Sequence, residues 1–156
     1  MLGHSLGGAS AILTAAQDPR IRCAIIWDGP FLGSLPLSGL SQPALHVTTE
    51  RNEDNSSLRG LWPKFKGPKL WIKVADLLHE GMLDIPTLLQ AVGQDPGVFA
   101  DLLGTIAPAK TVRILTAYAV EWINGTFAGE VGGPLLQGQQ PDIFPEVTTV
   151  RKDNFQ

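Results

Sequence analysis

The sequence predicts an α/β layer fold, a mainly parallel sheet flanked by helices. Three apolar runs of strand length, residues 22–27, 44–49 and 69–75, are separated by helical or looped segments. The first of them, Arg-Cys-Ala-Ile-Ile-Trp, is continuously apolar after its arginine, as a strand covered on both faces requires. An Ala-rich stretch at 9–17, without Gly or Pro, reads as a buried helix leading into it.

Taken in order, the predicted helix 9–17 ends before Asp18-Pro19. The strand 22–27 is closed by Asp28-Gly29-Pro30, and Cys23 within it reads as a small buried hydrophobe. Residues 29–43, rich in Gly, Pro, Ser and Leu, read as a long loop, and 50–60 as polar and turn-like. His79 lies just after the strand 69–75, and 85–92 suits a short helix. Residues 110–123 are the clearest helix: Val112, Leu115, Ala119, Trp122 and Ile123 recur near helical spacing, and Asn124-Gly125 stops it. The tail 127–156 is Gly/Pro-rich and reads as mostly irregular. No internal repeat or second domain is evident. The expected organisation is one partial domain over 1–156, with its core in 1–126. Three strands make a poor sheet, so further N-terminal strands are expected to be missing from this chain.

Composition narrows the function. The chain has 156 residues, 44% of them hydrophobic and 17% charged, as in an ordinary globular protein. A net charge of −3 gives no reason to expect nucleic acid or an anionic membrane as partner. Lys64, Lys66 and Lys69, scattered among prolines, read as solvated loop charges. The one cysteine excludes internal disulfides. His4, His46 and His79 are too dispersed for a zinc site, so neither metal nor cofactor is expected. No run reaches about 18 apolar residues, so no transmembrane segment is expected. The sequons at Asn55 and Asn124 favour a secreted protein whose leader is absent from this chain, with a cytoplasmic location as the alternative.

The motif that carries chemistry is Gly3-His4-Ser5-Leu6-Gly7, which matches G-x-S-x-G, the nucleophile elbow of α/β hydrolases. A strand-to-helix turn this sharp strains the serine backbone, and side chains at the flanking positions would collide. Glycine removes the collision. The turn lifts the Ser5 hydroxyl above the sheet and aims the Leu6 amide at a developing oxyanion. Such a serine needs a base, and the base an orienting acid, in the chain order Ser, Asp or Glu, His. His79 takes the base position. His4 is held next to the nucleophile and is expected to point elsewhere, and His46 lies inside a strand. Asp28 is the favoured acid because it closes an apolar strand, where a lone carboxylate is costly without a partner. Glu50, Glu53 and Asp54 follow the next strand and stand as alternative acids.

Over residues 3–84 these motifs resemble the plasma-type platelet-activating-factor acetylhydrolases, a branch of the α/β hydrolases. Gly-His-Ser-Leu-Gly-Gly-Ala is similar to that family's elbow. Arg22 to Asp28 resembles its next strand, Gln42-Pro43-Ala44-Leu45 the start of the one after, and His79-Glu80-Gly81-Met82-Leu83-Asp84 its histidine loop. The resemblance implies the C-terminal portion of an α/β-hydrolase fold with its N-terminal strands missing. It implies Ser5, Asp28 and His79 as a triad that cleaves a small-molecule or lipid ester, such as a phospholipid acetyl ester. Cutinase-like polyesterases share a similar elbow but place the acid after the strand at 44–49, so ester chemistry is better supported than phospholipid specificity. In the family a second oxyanion donor comes from earlier in the chain. This chain alone is therefore expected to be a weak or inactive catalyst, with the apolar faces of strands 22–27 and 44–49 exposed. A non-catalytic fragment of the fold is the competing reading, and a peptidase or acyltransferase with the same triad a third.

Overall fold

The computed structural model describes residues 1–30, 34–35, 39–52 and 56–155. The three apolar runs become neighbouring parallel strands: β2 (Ala24–Trp27), β3 (Ala44–Thr49) and β4 (Lys69–Val74). A three-residue strand, β1 (Leu2–His4), pairs in parallel with β2, and β5 (Val147–Asp153) runs antiparallel along β4. The sheet order is β1-β2-β3-β4-β5, so β1 and β5 are its two edges.

Among the described residues five helices accompany the sheet: α1 (Leu6–Gln17), α2 (Ser56–Leu61), α3 (Ile85–Ala91), α4 (Ala100–Leu103) and α5 (Pro108–Ala128). The strand register assigns the two faces, because paired residues on neighbouring strands point the same way. Leu2, Ile25, Leu45 and Leu70 share one face, as do His4, Trp27, Val47 and Ile72. This face is covered by Ile114, Leu115, Tyr118 and Trp122 of α5. Ala24, Ile26, Ala44 and Trp71 face the other way, onto Ile12 and Ala15 of α1 and Leu58 and Leu61 of α2. Burying one such large apolar side chain is worth roughly 1.5–3 kcal/mol, so the two faces together hold the sheet between its helices. The architecture is the α/β-hydrolase type that the elbow implied.

Several expectations need correction. The strands 22–27 and 44–49 do not expose apolar faces, since β1 and β4 flank them and helices cover both sides. Ile25 and Ile26 are buried, as is every residue of β3. Exposure moves instead to Leu2 on β1 and to a stripe on α5. The tail is not irregular throughout, because β5 lies in it. Its sequence Val-Thr-Thr-Val-Arg-Lys-Asp is polar and half exposed, and its order comes from pairing with β4, a contact distant in sequence. The stretch 50–60 holds a 3-10 turn (Glu50–Asn52) and α2, which buries Leu58 and Leu61. Helix α5 runs through Asn124-Gly125 and stops at Gly129, whose φ of 79° is left-handed. Gly125 serves packing: a β-carbon there would lie 2.8 Å from the Glu130 carbonyl oxygen.

Lys69 is no solvated loop charge. It opens β4, is 5% exposed, and its Nζ donates to the carbonyls of Trp62 and Phe65 at 2.8 Å each. Burial pushes its pKa below the usual lysine value, with Asp153 nearby opposing the shift. Cys23 is buried and free, and His46 is fully packed, with both ring nitrogens lacking a hydrogen bond among the described residues. The sequon at Asn124 sits inside α5, where the Thr126 hydroxyl is buried and donates to the Trp122 carbonyl. Asn55 lies outside the described residues. Among the described residues no helix is long and apolar enough to cross a membrane.

Candidate active site

The turn from β1 to α1 is built around Ser5. Its φ of 55° and ψ of −125° lie in a region that non-glycine residues rarely enter, at a cost of about 1–3 kcal/mol. The rest of the turn holds it there. The Ser5 N–H donates to the Trp27 carbonyl at 2.9 Å, and the Gly8 N–H donates back to the Ser5 carbonyl at 2.9 Å. The glycines divide the work unevenly. A β-carbon on Gly3 would lie 2.1 Å from the Gly7 carbonyl oxygen, and one on Gly8 would lie 2.5 Å from the Ile26 side chain. One on Gly7 would meet nothing within 4 Å. The steric demand expected of the second motif glycine thus falls on its neighbour, because Gly8 is the residue that packs against β2.

Helix α1 starts at Leu6, so its amino-terminal end lies immediately after Ser5. The first-turn N–H groups and the positive end of the helix dipole favour negative charge there. The Leu6 side chain is exposed.

Asp28 ends β2 with a φ of 46°, a second strained residue at the same edge of the sheet. It is 1% exposed. Its Oδ1 accepts from the Thr49 N–H at 3.0 Å and from the Thr49 hydroxyl at 3.2 Å. Its Oδ2 accepts from His79 Nδ1 at 2.7 Å. The imidazole is one-third exposed and the carboxylate side chain fully buried. A buried carboxylate is tolerated when it is hydrogen-bonded in this way, and an Nδ1–H held by Asp28 leaves His79 Nε2 as the acceptor nitrogen. The loop bearing His79 is fixed at both ends. The Leu78 N–H donates to the Leu103 carbonyl at 3.2 Å, and a 3-10 turn (His79–Met82) follows.

Of the alternative acids, Glu50 is exposed on its 3-10 turn and makes no hydrogen bond or ion pair among the described residues. Glu53 and Asp54 lie outside the described residues. The Ser5 hydroxyl makes no hydrogen bond among the described residues. Asp28, His79 and the elbow therefore meet at the carboxyl ends of the parallel strands, the edge where open α/β sheets bind ligands.

His4 does not point elsewhere. Its Nε2 lies 3.0 Å from the His79 carbonyl oxygen, and the two rings lie 4.3 Å apart at 38°. The reason is the register: His4 pairs with Trp27, so its side chain falls on the α5 face, over which the 76–82 loop closes. Burial, and then the neighbouring His79, depress the His4 pKa below the usual histidine value. Alternation along β1 was the signal that would have found it, but three residues are too few to show a period.

The chain is similar to known esterases over nearly its whole length. A ferulic acid esterase from Streptomyces cinnamoneus superposes with a TM-score of 0.83 and 29% identity, covering 96% of this chain and 46% of that one. A platelet-activating factor acetylhydrolase of the guinea pig, Cavia porcellus, is 25% identical over 158 residues, covering 95% of this chain and 35% of the relative. The chain thus spans between a third and a half of the length of these relatives. The model of the family described as platelet-activating factor acetylhydrolase, isoform II, matches residues 1–126, from the strand before Ser5 almost to the end of α5. A match over that span, which takes in the strained serine and the Asp28–His79 pair, establishes that the chain belongs to this family.

Proposed function

We propose that the site hydrolyses carboxylic esters through an acyl-enzyme, with Ser5 as nucleophile, His79 as base and Asp28 as the acid that orients it. The observation that carries this reading is the 2.7 Å hydrogen bond from His79 Nδ1 to the buried Asp28 carboxylate, at the same sheet edge as a serine with strained φ. Ser5 Oγ attacks the ester carbonyl carbon while its proton passes to His79 Nε2. The Leu6 amide meets the oxyanion that forms. Collapse breaks the ester bond, and His79 returns the proton to the departing alcohol. Water, activated by the same imidazole, then releases the acid and frees Ser5. The relatives' names point to acetyl and aromatic acyl esters as the first substrates to try.

A second oxyanion donor belongs, in this reading, to polypeptide beyond this chain. Two features support it. Strand β1 has no neighbour on its outer side among the described residues. Helix α5 carries a second apolar stripe, Val112, Val120, Ile123 and Phe127, that is exposed beside an open groove of about 910 Å³. Losing one oxyanion donor typically costs on the order of 10²–10³ in rate, so this chain alone turns over slowly.

The test is labelling with a fluorophosphonate, which needs an activated serine but no turnover. A mass shift on the Ser5 peptide, absent in Ser5→Ala, supports the reading. A folded, unlabelled protein sinks it.

A further inference from the structure

The esterase reading uses three side chains and leaves His4 without a task. Yet His4 makes the most specific contact to the base after Asp28. We propose that His4 is a positioning residue: its Nε2–H holds the main-chain carbonyl of His79 and its ring backs the His79 imidazole, so that the strand carrying Ser5 also sets the place of the base. The inference rests on the assignment of His79 as base.

A carbonyl oxygen only accepts, so the hydrogen of the 3.0 Å contact must be on His4 Nε2. That fixes the tautomer of a neutral His4 and leaves its Nδ1 as the unprotonated nitrogen. His79 is then held at two points from two strands. Asp28, at the end of β2, holds the side chain through Nδ1, and His4, at the end of β1, holds the backbone. Ser5 is the next residue after His4, so a shift of the 79 loop relative to the nucleophile requires breaking the His4 contact. A one-residue link between nucleophile and base is a short mechanical path, and misplacement of reacting groups by about 1 Å can cost about 10²-fold in rate.

The ring contact adds a charge condition. When His79 accepts the serine proton it becomes an imidazolium 4.3 Å from the His4 ring. A second positive charge there would oppose that step, whereas a neutral ring does not. The groups that act on His4 are His79, Asp28 and Glu80: burial and then the His79 ring disfavour its protonation, the bond to the His79 carbonyl and the two carboxylates favour it, and the net direction is downward.

The experiment is imidazole NMR on the 156-residue chain labelled with ¹⁵N-histidine. The protein has three histidines, and the buried His46 serves as an internal report of folding. His4→Phe keeps a ring and removes the donor; His4→Gln keeps a donor near the Nε2 position and removes the ring. With His46 signals unchanged, His4→Phe should broaden the Nδ1–H resonance of His79 through solvent exchange about tenfold faster than in the parent, the ratio that loss of one hydrogen bond commonly carries. His4→Gln should restore most of the protection. An unchanged His79 resonance in folded His4→Phe overturns the proposal, as does loss of protection in both variants with no rescue by Gln. If His4→Phe fails to fold, His4→Leu takes its place: rapid His79 exchange there with rescue in His4→Gln supports the proposal, and parental exchange in folded His4→Leu overturns it. None of these readouts depends on Ser5, so failure of serine labelling and failure of this proposal are separate results.

Discussion

Asp28 joins two unusual properties in one residue, a positive φ and a buried carboxylate bonded to both Thr49 and His79. If it orients the base, Asp28→Asn should lower esterase turnover by about 10⁴, the scale of the corresponding change in Ser-His-Asp enzymes, because the amide favours the wrong imidazole tautomer. Glu50→Gln should leave turnover within about twofold, since an exposed charge so placed acts weakly through water. Rates on a p-nitrophenyl acetate assay check both, and a collapse in Glu50→Gln alone would move the acid to the later strand. His46 supplies a second prediction, on stability. Burial lowers its pKa from 6.5 to about 3. The folded state therefore stays unprotonated where the unfolded chain binds a proton, so stability is present above pH 6.5 and is lost as pH falls from 6.5 toward 3. The slope is about 1.4 kcal/mol per pH unit, or about 2 kcal/mol between pH 7 and pH 5. His46→Leu should remove that loss and show a smaller drop between these two pH values in urea unfolding. The pairing of Asp28 with His79 was foreshadowed by sequence position, Asp28 closing an apolar run ahead of Glu50, Glu53 and Asp54 as alternatives, and His79 following the strand 69–75. The part of His4 was hidden, because which face a residue takes on a three-residue strand depends on its neighbour's register.

At the scale of elements, the elbow makes a sharp distinction among glycines that a motif cannot make. Gly3→Ala and Gly8→Ala each force a β-carbon into occupied space, at 2.1 Å from backbone in one case and 2.5 Å from the Ile26 side chain in the other. Each should cost about 1–3 kcal/mol or more, and Gly3→Ala should cost the more because backbone cannot yield as a side chain can. Gly7→Ala, on the exposed first turn of α1, meets nothing and should be neutral or stabilise by up to about 1 kcal/mol through helix propensity. Thermal unfolding of the three variants orders them. The elements that were legible were those whose burial is written locally: α1, β2, β3, β4 and the body of α5. Those that were not legible were β5, which owes its order to β4 far along the chain, α2, and the last turn of α5, which is continued by packing just beyond it. Asn124-Gly125 reads as a stop until Glu130 and Val131 come to rest against Gly125.

For the molecule as a whole, α5 has two apolar faces and buries one. Ile114, Leu115, Tyr118 and Trp122 lie against the sheet, while Val112, Val120, Ile123 and Phe127 remain exposed. An isolated chain with such a stripe should self-associate at high concentration. Val120→Lys with Phe127→Lys should lower its sedimentation-average mass toward one chain while leaving the melting temperature within a few degrees, since both side chains lie outside the core. A parent chain that sediments as a monomer at high concentration would remove the stripe's significance as a contact surface.

The two margins of the sheet are unlike each other. Along β5 the chain presents Arg151, Lys152 and Asp153, and charge of this kind discourages a newcomer from joining. Along β1 it presents three residues with no such guard, immediately before the serine. A backbone that extended this sheet along β1 would join it beside Ser5, so under the esterase reading recruitment of a strand and completion of the site would fall at one place.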